Sequence, residues 1–391
     1  MSRIGFLFNH DQTHQVAHSL PIALEIARSG AAEVSLLVTN AMMKAAVEAM
    51  AGELLAKMTL IDLAPKSFVS RAAAGLLDRF IPAGKLSIYR DHLDLFRTFD
   101  ALVVSEKSSL LLKTRYGLND LKFVHTRHGA GDRAIGFNPE SARFDLILVA
   151  GPKIRDRLIA EAEVPPERIA VTGYCKFDQF LNEPAARKLF PNDRPVVLYN
   201  PHPSPKLSSW YQWGDYILDY FARQSRYNLI FAPHVMLFER NWTVTIDPPA
   251  IARVHKPGAH YSNLSHMLVD LGSDASVDMT YTNAADIYLG DVSSQVYEFL
   301  VKPRPCLFLN AHKVDWRNDA SYTHWQAGPV VESVEALDVA LSSAFEIFKK
   351  YRSRQEAMLE ETFSVSETPA AQRGAQAILA MLKQSGKGQP Q

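Results

Sequence analysis

Arg3-Ile-Gly-Phe-Leu-Phe8 and Glu33-Val-Ser-Leu-Leu-Val-Thr39 are the two apolar runs that decide the fold. The segment between them, Val16–Arg28, has apolar residues at helical spacing, and Ala41–Ala51 has the same spacing after the second run. Largely apolar runs of this length are typical of strands that are buried on both faces. Their alternation with helices predicts a parallel sheet that is covered by helices on both sides.

The same alternation continues along the chain. Further strands are predicted at Met58–Asp62, Ala101–Val104, Lys122–Thr126, Leu146–Val149, Arg168–Thr172, Val196–Tyr199, Asn228–Ala232, Ile287–Gly290 and Cys306–Asn310. Further helices are predicted at Ser108–Tyr116, Pro152–Ala162, Trp210–Arg223, Val334–Tyr351 and Pro369–Lys383.

The segment Asn182–Pro195 holds three prolines and many charges, which is typical of a linker between domains. We therefore predict one doubly wound α/β domain over residues 1–181 and a second over residues 196–365. A final helix over 366–384 is expected to pack back on the first domain. Ligands of such sheets bind at the carboxyl ends of the strands, so the sequence predicts a ligand cleft between the two domains.

The composition excludes several classes of protein. The chain has 391 residues, with 42 Lys and Arg against 42 Asp and Glu, so it lacks the excess of cations that nucleic-acid binding requires. Two cysteines make no disulfide framework and suit a reducing compartment. No run approaches the ~20 apolar residues that cross a bilayer, and we expect a cytoplasmic protein.

One segment bears on membrane contact. Pro65–Phe99 interleaves basic and apolar residues, as do segments that lie on the anionic inner face of a plasma membrane. A pair of surface helices that packs on the first sheet explains the same pattern, and both interpretations stay open at this point.

A polar turn far down the chain indicates an anion site. The predicted strand Ile287–Gly290 is followed by Asp291, Ser293 and Ser294, and then by a helix that carries Glu298 one turn in. Backbone N–H groups and hydroxyls at the start of a helix bind phosphates, and a carboxylate one turn later can reach a ribose diol. The alternative is that a serine merely caps the helix.

Three histidines follow predicted strands directly. His128 lies in Arg127-His128-Gly129, His202 follows the first strand of the second domain, and His234 follows the next. An imidazole at such a position can move a proton near neutral pH, although a single histidine in a loop is more often structural.

The junction Gly173-Tyr174-Cys175-Lys176 is a fourth candidate loop, between a strand and a helix. The start of that helix and the charge of Lys176 can face donor phosphates. Tight turn geometry is the alternative explanation for Gly173.

These motifs, in this order, resemble the CDP-glycerol glycerophosphotransferases, which are teichoic-acid primases and polymerases with a GT-B fold. The resemblance rests on Arg127-His128-Gly129, Gly173–Lys176, His234 and Asp291–Ser294, and extends from about Phe123 to about Val331. The chain differs from the usual family pattern at Ala130-Gly131, where threonine and proline are common.

The resemblance implies roles for individual residues. His128 and His234 are implied in catalysis, and the donor diphosphate is implied to lie on Asp291, Ser293 and Ser294. From their own positions in the sequence, Lys176 is expected to contact the donor phosphates and Glu298 the ribose. Loops that carry Arg127, Gly129, Gly173, Tyr174 and His202 are expected to line the cleft. The implied reaction moves a polyol phosphate from a CDP-linked donor to a hydroxyl of a glycan or lipid-linked acceptor.

Two other functions stay open. The turn at Asp291–Ser294 also resembles that of the UDP-N-acetylglucosamine 2-epimerases and related GT-B glycosyltransferases, which use UDP-sugars. A membrane-associated scaffold that merely retains a nucleotide-binding shape is the non-enzymatic alternative. The sequence has no Asp-x-Asp pair of the kind that bridges a metal ion to a diphosphate, so we expect no tightly bound cofactor or metal, and at most loosely bound Mg²⁺.

Overall fold

The computed structural model describes residues 1–10, 12–64, 83–127, 131, 136–180, 188–246 and 249–386. The chain divides into two compact units. The first unit comprises Met1–Gly129, Phe137–Asn182 and Thr362–Gln391, and the second comprises Ala130–Gly136 and Glu183–Glu361. The predicted linker falls at this division, but residues 182–187 lie outside the described part of the chain.

The first unit is built on a seven-stranded parallel sheet. Its strands are β1 (Arg3–Phe8), β2 (Glu33–Val38), β3 (Thr59–Asp62), β4 (Ala101–Val104), β5 (Lys122–Thr126), β6 (Leu146–Val149) and β7 (Ile169–Val171), in the order β3-β2-β1-β4-β5-β6-β7. Its helices are α1 (Leu20–Ser29), α2 (Ala41–Ala51), α3 (Ala83–Asp91), α4 (Leu93–Phe96), α5 (Leu111–Thr114), α6 (Pro152–Ala162) and α7 (Cys175–Phe180).

Local sequence signals explain where the first helices begin and end. Asn40 caps α2, since its side chain accepts a hydrogen bond from the Met43 N–H at 2.8 Å. Gly30 ends α1 in the left-handed conformation, at φ 65°. Two apolar clusters pack on the two faces of the sheet, one with α1 and α2 and one with α3 and α6. The sheet is therefore buried on both sides, as its continuous apolar strands predict.

The second unit is built on a six-stranded parallel sheet. Its strands are β8 (Val196–Asn200), β9 (Asn228–Phe231), β12 (Met267–Val269), β13 (Ile287–Gly290), β14 (Cys306–Leu309) and β15 (Val330–Val331), in the order β12-β9-β8-β13-β14-β15. A separate antiparallel hairpin consists of β10 (Trp242–Ile246) and β11 (Pro249–Arg253). The helices of the second unit are α8 (Trp210–Arg223), α9 (Thr280–Ala284), α10 (Gln295–Phe299), α11 (Leu337–Ser342) and α12 (Ala344–Thr362).

The last helix, α13 (Ala370–Gly386), belongs to the first unit and packs on α1. The Asp178 carboxylate accepts hydrogen bonds from the N–H groups of Ala370 and Ala371, at 2.7 and 2.8 Å. A carboxylate at the start of a helix satisfies amides that have no partner within the helix and interacts favourably with the helix dipole. Asp178 therefore fixes the N-terminus of α13.

Several predicted elements have different bounds in the structure. The helix predicted over Val16–Arg28 is a 3₁₀ turn at Thr13–His18 followed by α1, because Pro21 in the first turn of α1 favours a helix start there. The helix predicted over Val334–Tyr351 is divided into a 3₁₀ turn, α11 and α12. The hairpin β10–β11 and the strands β12 and β15 were not predicted.

The described part of Pro65–Phe99 packs on the first sheet. Ile88, Tyr89 and Phe96 are buried in its core. Lys85 pairs with Glu106 at 2.7 Å. Residues 65–82 lie outside the described part. In the ranges that the structure covers, no helix is long and apolar enough to span a bilayer.

We expect Gly173→Ala to destabilise the protein more than Gly117→Ala. Both glycines have positive φ, at 89° and 70°, so both substitutions strain the backbone. A Cβ at Gly117 would meet nothing within 4 Å, whereas one at Gly173 would lie 2.9 Å from the Ser364 carbonyl oxygen and would also overlap Arg373. The excess loss should be about 1–3 kcal/mol in thermal unfolding. Equal melting temperatures would show that Gly173 does not need this close approach.

Candidate active site

Two loops of the second unit that carry predicted site residues meet at the centre of its sheet. β8 and β13 are neighbours, with Asn200 in register with Gly290, and strand order reverses between them. His202 follows β8 and Asp291 follows β13. This is the position at which open parallel sheets bind ligands.

The Asp291 carboxylate holds these loops together. It is completely buried and accepts four hydrogen bonds. Its Oδ1 accepts from the N–H groups of His202 and Val292, both at 2.8 Å, and its Oδ2 accepts from the N–H and Oγ of Ser209, at 2.6 and 2.9 Å. Burial raises the pKa of Asp291 to about 6, and the four donors partly offset this effect. Asp291 thus links the turn after β13 to the loop after β8 and to the start of α8.

The backbone carbonyl of Asp291 is held from another direction. It accepts a hydrogen bond from Trp325 Nε1 at 2.9 Å and lies 3.1 Å from His324 Nε2. Both side chains are buried. The turn is therefore fixed through its side chain and its main chain, and its conformation is set before any ligand binds.

The other predicted residues of this turn differ in exposure. Ser293 is 2% exposed, and its Oγ accepts a hydrogen bond from the Gln295 N–H at 3.3 Å. Ser294 is exposed and occupies the cap position of α10, where its side chain makes no capping hydrogen bond to a described residue. Glu298 is 7% exposed. Ser294 is thus the side chain of this set that is most accessible to a ligand.

Two imidazoles lie side by side at the ends of β8 and β9. The rings of His202 and His234 are 6.1 Å apart between centroids. Each Nδ1 accepts a hydrogen bond from the backbone N–H two residues later, at 3.0 Å from Ser204 and 3.3 Å from Met236. In the neutral ring an accepting Nδ1 leaves the proton on Nε2. Both rings are thereby held as Nε2–H tautomers, which donate hydrogen bonds at Nε2.

The environment of His234 favours the neutral ring. Burial lowers its pKa to about 4. A neutral imidazole whose Nδ1 is already engaged donates a hydrogen bond to an oxyanion and does not take a proton at Nε2. The structure therefore suits His234 as a donor rather than as a base.

The other predicted residues lie in the first unit or outside the described part. His128 and Gly129 lie outside it. Arg127 follows β5, with its guanidinium 4.6 Å from the centroid of the Phe137 ring. Tyr174 is buried against His18, Phe177 and Phe363, with ring centroids at 5.4, 5.0 and 5.4 Å.

Lys176 and Gly173 complete this set. Lys176 is half-buried on α7, with Nζ 5.9 Å from the centroid of the Tyr174 ring. Gly173 has a structural reason to be glycine, since it adjoins Ser364 and Arg373. The structure describes these residues within their own unit, and their predicted contact with a donor stays a prediction.

Several residues that build the site were not predicted. Ser209, His324 and Trp325 hold the turn through contacts with Asp291, and their sequence neighbourhoods carry no motif. The sequence indicates these residues only indirectly, because a buried carboxylate such as Asp291 requires hydrogen-bond donors around it. Among the residues that the structure describes, no cluster of three or more His, Cys, Asp or Glu side chains could hold a metal ion.

Comparison with solved structures places the chain among proteins with a GT-B fold. The wall teichoic acid polymerase TagF is 14% identical, with a TM-score of 0.60 over 99% of this chain and 90% of that one. The UDP-GlcNAc 2-epimerase of Neisseria meningitidis, bound to UDP-GlcNAc, is 13% identical, with a TM-score of 0.59 over 98% and 100%. MnaA of S. aureus, in a structure with UDP, is 11% identical, with a TM-score of 0.60 over 99% and 97%.

No protein-family model and no curated protein sequence matches the chain. At such low identity the likeness to solved structures shows the fold alone. The predicted fold class is confirmed: the chain has the two parallel-sheet α/β domains of the GT-B fold.

We expect Asp291→Ala to destabilise the protein and Ser294→Ala to leave its stability unchanged. Removing the buried carboxylate leaves four donated hydrogen bonds without an acceptor, at a cost of about 3–5 kcal/mol. Ser294 is exposed, so its loss should change stability by less than about 0.5 kcal/mol. Thermal and urea unfolding of the two variants measure the difference. Equal melting temperatures of Asp291→Ala and the wild type would contradict the role of Asp291 in holding the loops together.

The His234 ring should stay neutral in the folded protein down to about pH 5, since its folded pKa is about 4 and its unfolded pKa is about 6.5. The stability that this ring contributes is complete above about pH 6.5. It is lost as the pH falls towards 4, because the unfolded chain takes up the proton first. Long-range ¹H–¹⁵N spectra of labelled histidine report both protonation and tautomer. A midpoint near 6.5, or a proton on Nδ1, would contradict the geometry.

Proposed function

We propose that the chain is a GT-B transferase that acts on a nucleotide-activated donor. The proposed donor is a CDP-linked polyol phosphate such as CDP-glycerol, and the proposed acceptor is a hydroxyl of a glycan or lipid-linked molecule in the synthesis of a cell-surface polymer. The order of the motifs along the chain supports the donor class, and the fold supports a nucleotide-dependent enzyme.

The observation that carries the proposal is the arrangement at the ends of β8, β9 and β13. Two imidazoles with protons on Nε2 lie beside a turn that Asp291 and Trp325 hold rigid. Hydrogen-bond donors that are fixed in advance stabilise developing negative charge without reorganising. A diphosphate is the ligand class that such a set of neutral donors suits.

In this proposal each residue has a distinct role. His234 donates a hydrogen bond to the transferred phosphate or to the leaving nucleotide, and Ser294 contacts the diphosphate. Asp291 and Ser293 position the turn, because both side chains are buried. Glu298 is proposed to hold the ribose and Lys176 to stabilise the phosphate charge.

The proposed reaction is one displacement at phosphorus. The acceptor oxygen forms a bond to the phosphorus of the polyol phosphate, and the bond from that phosphorus to the bridging oxygen breaks. CMP leaves with the electron pair. The acceptor proton passes to His128, which keeps the role of base that its motif implies. Most of the rate should come from positioning and charge stabilisation.

A UDP-sugar enzyme is the second candidate. The likeness to the 2-epimerases is as close as that to the polymerase, by TM-scores of 0.59 and 0.60. The turn that holds Ser294 suits the diphosphate of either donor. The geometry of the second unit therefore does not favour cytosine or uracil as the nucleobase of the donor. The two candidates differ in the products that they release.

A thermal-shift screen with CDP, UDP, GDP and ADP tests the proposed donor class. Ligand at 100 times its dissociation constant stabilises the folded protein by about 2.7 kcal/mol, so CDP should raise the melting temperature more than the other three. His234→Gln should reduce this shift, while Gly117→Ala serves as a matched control away from the site. CMP release from CDP-glycerol supports the transferase. A response to UDP, with UDP release or isomerisation of a UDP-sugar, supports the second candidate and rejects the first.

A further inference from the structure

The antiparallel hairpin of the second unit, β10 and β11, presents its large apolar side chains to the outside. Trp242, Val244 and Ile251 are 57%, 70% and 69% exposed. Val244 is in register with Ile251, and Trp242 is in register with Arg253, which is also exposed. Residues that are in register or two apart along a strand lie on the same side of a ribbon. We name these four side chains the outer face.

The inner face of the hairpin carries the smaller and more polar side chains. Thr243, Thr245, Ala250 and Ala252 alternate with the outer residues and are half-buried. Thr243 is a hydrogen-bond partner of Tyr211 on α8. An antiparallel ribbon normally turns its apolar side chains to the core and its polar side chains to water. This hairpin does the reverse, which is typical of a surface that binds another molecule or a membrane.

The hairpin is attached near the candidate site of the second unit. Trp210, the first residue of α8, donates a hydrogen bond from Nε1 to the carbonyl of His255 at 3.1 Å. The Trp210 and His255 rings also stack, with 4.9 Å between centroids. Ser209, which precedes Trp210, bonds the Asp291 carboxylate. The start of α8 therefore contacts both the end of the hairpin and the turn that carries Asp291.

The charges of the hairpin indicate what covers the outer face. Arg253 is the charged member of that face, and none of its four side chains is acidic. Arg240 and Lys256, which flank the two strands, are exposed cations. The acids of the same segment are Glu239, which precedes β10, and Asp247, which lies in the turn and outside the described residues. An apolar face with a cation and no acid suits an anionic surface.

The interface of an anionic bilayer suits each side chain of the outer face. Indole rings concentrate at the level of lipid headgroups, as Trp242 would. Val244 and Ile251 can contact the boundary of the acyl chains. Arg253 can rest its aliphatic stem on that boundary and extend its guanidinium to lipid phosphates. A ribbon that lies flat on the membrane makes all four contacts without inserting its turn.

We propose that the outer face of β10 and β11 binds the surface of an anionic membrane. This contact goes beyond the proposed function and does not rest on it, because its evidence is the hairpin alone. If the chain is also the proposed transferase, the contact favours a lipid-linked acceptor over a free glycan.

Sedimentation of the full chain with vesicles measures the contact. Vesicles of phosphatidylglycerol and phosphatidylcholine in equal parts supply an anionic surface, and vesicles of phosphatidylcholine alone supply a neutral one. The wild type should bind the anionic vesicles more tightly, and added salt should weaken this binding. Arg253→Gln should weaken it about fivefold, which is the effect of one cation at an anionic surface. Equal binding to both kinds of vesicle would reject the preference for anionic lipid.

A double variant tests the apolar part of the outer face. Trp242→Thr with Ile251→Thr should weaken binding to anionic vesicles at least about tenfold, because it removes most of the apolar surface of the face. Both positions are exposed and threonine suits a strand, so the melting temperature should stay the same. Val339→Thr on α11 is the matched control, since Val339 is also 69% exposed, and it should bind as the wild type does.

Tryptophan fluorescence shows whether the hairpin itself meets the lipid. Trp242 is the exposed member of the five tryptophans, since the others are buried or half-buried. Lipids that carry bromine on their acyl chains should therefore quench Trp242 in the bound protein. Trp242→Thr should lose most of this quenching, whereas Val339→Thr should keep it.

The remaining outcomes each decide the proposal. Equal binding of the wild type and the double variant to vesicles rejects the hairpin as the contact. Failure of the wild type to bind vesicles rejects the membrane, and a dimer that the double variant dissociates would then show that a second copy covers the outer face. Binding that depends on the hairpin, with no response to CDP or UDP in the thermal screen, keeps the membrane contact and rejects the transferase. A nucleotide response without vesicle binding does the opposite.

Discussion

The buried carboxylate of Asp291 is the interaction on which the candidate site of the second unit depends. It joins the turn after β13 to His202 and Ser209, which lie 89 and 82 residues earlier in the chain, and the backbone carbonyl of the same residue is held by Trp325. An ionised group without water is stable only when donors surround it. The loops after β8 and β13 must therefore adopt this one arrangement, which also places Ser294 at the surface.

The fold could be predicted from sequence because buried parallel strands have a strong local signal. Ala101–Val104 and Leu146–Val149 form strands at the predicted residues, since each is an apolar run between polar segments. The hairpin of β10 and β11 lacks that signal. Its apolar side chains, such as Val244 and Ile251, are largely exposed, so no core selects its pattern.

The site was predictable only in part, for a different reason. Short motifs mark His234 and Asp291, but not the direction in which a side chain acts. The tautomer of His234 depends on a hydrogen bond from Met236, which no spacing rule indicates. In the first unit, His10 and Glu106 are far apart in sequence and meet only through the register of β1 and β4. Both units thus concentrate polar side chains where strand order reverses.

The docking of α13 has a consequence for how the protein is made. The last helix of the chain belongs to the unit with which the chain begins, and Asp178 caps it there. During synthesis, the apolar surface of α1 therefore stays uncovered until the residues of α13 have left the ribosome. The second unit, which is nearly continuous in sequence, is able to complete its core earlier. The domain that is translated first is in this sense the one that matures last.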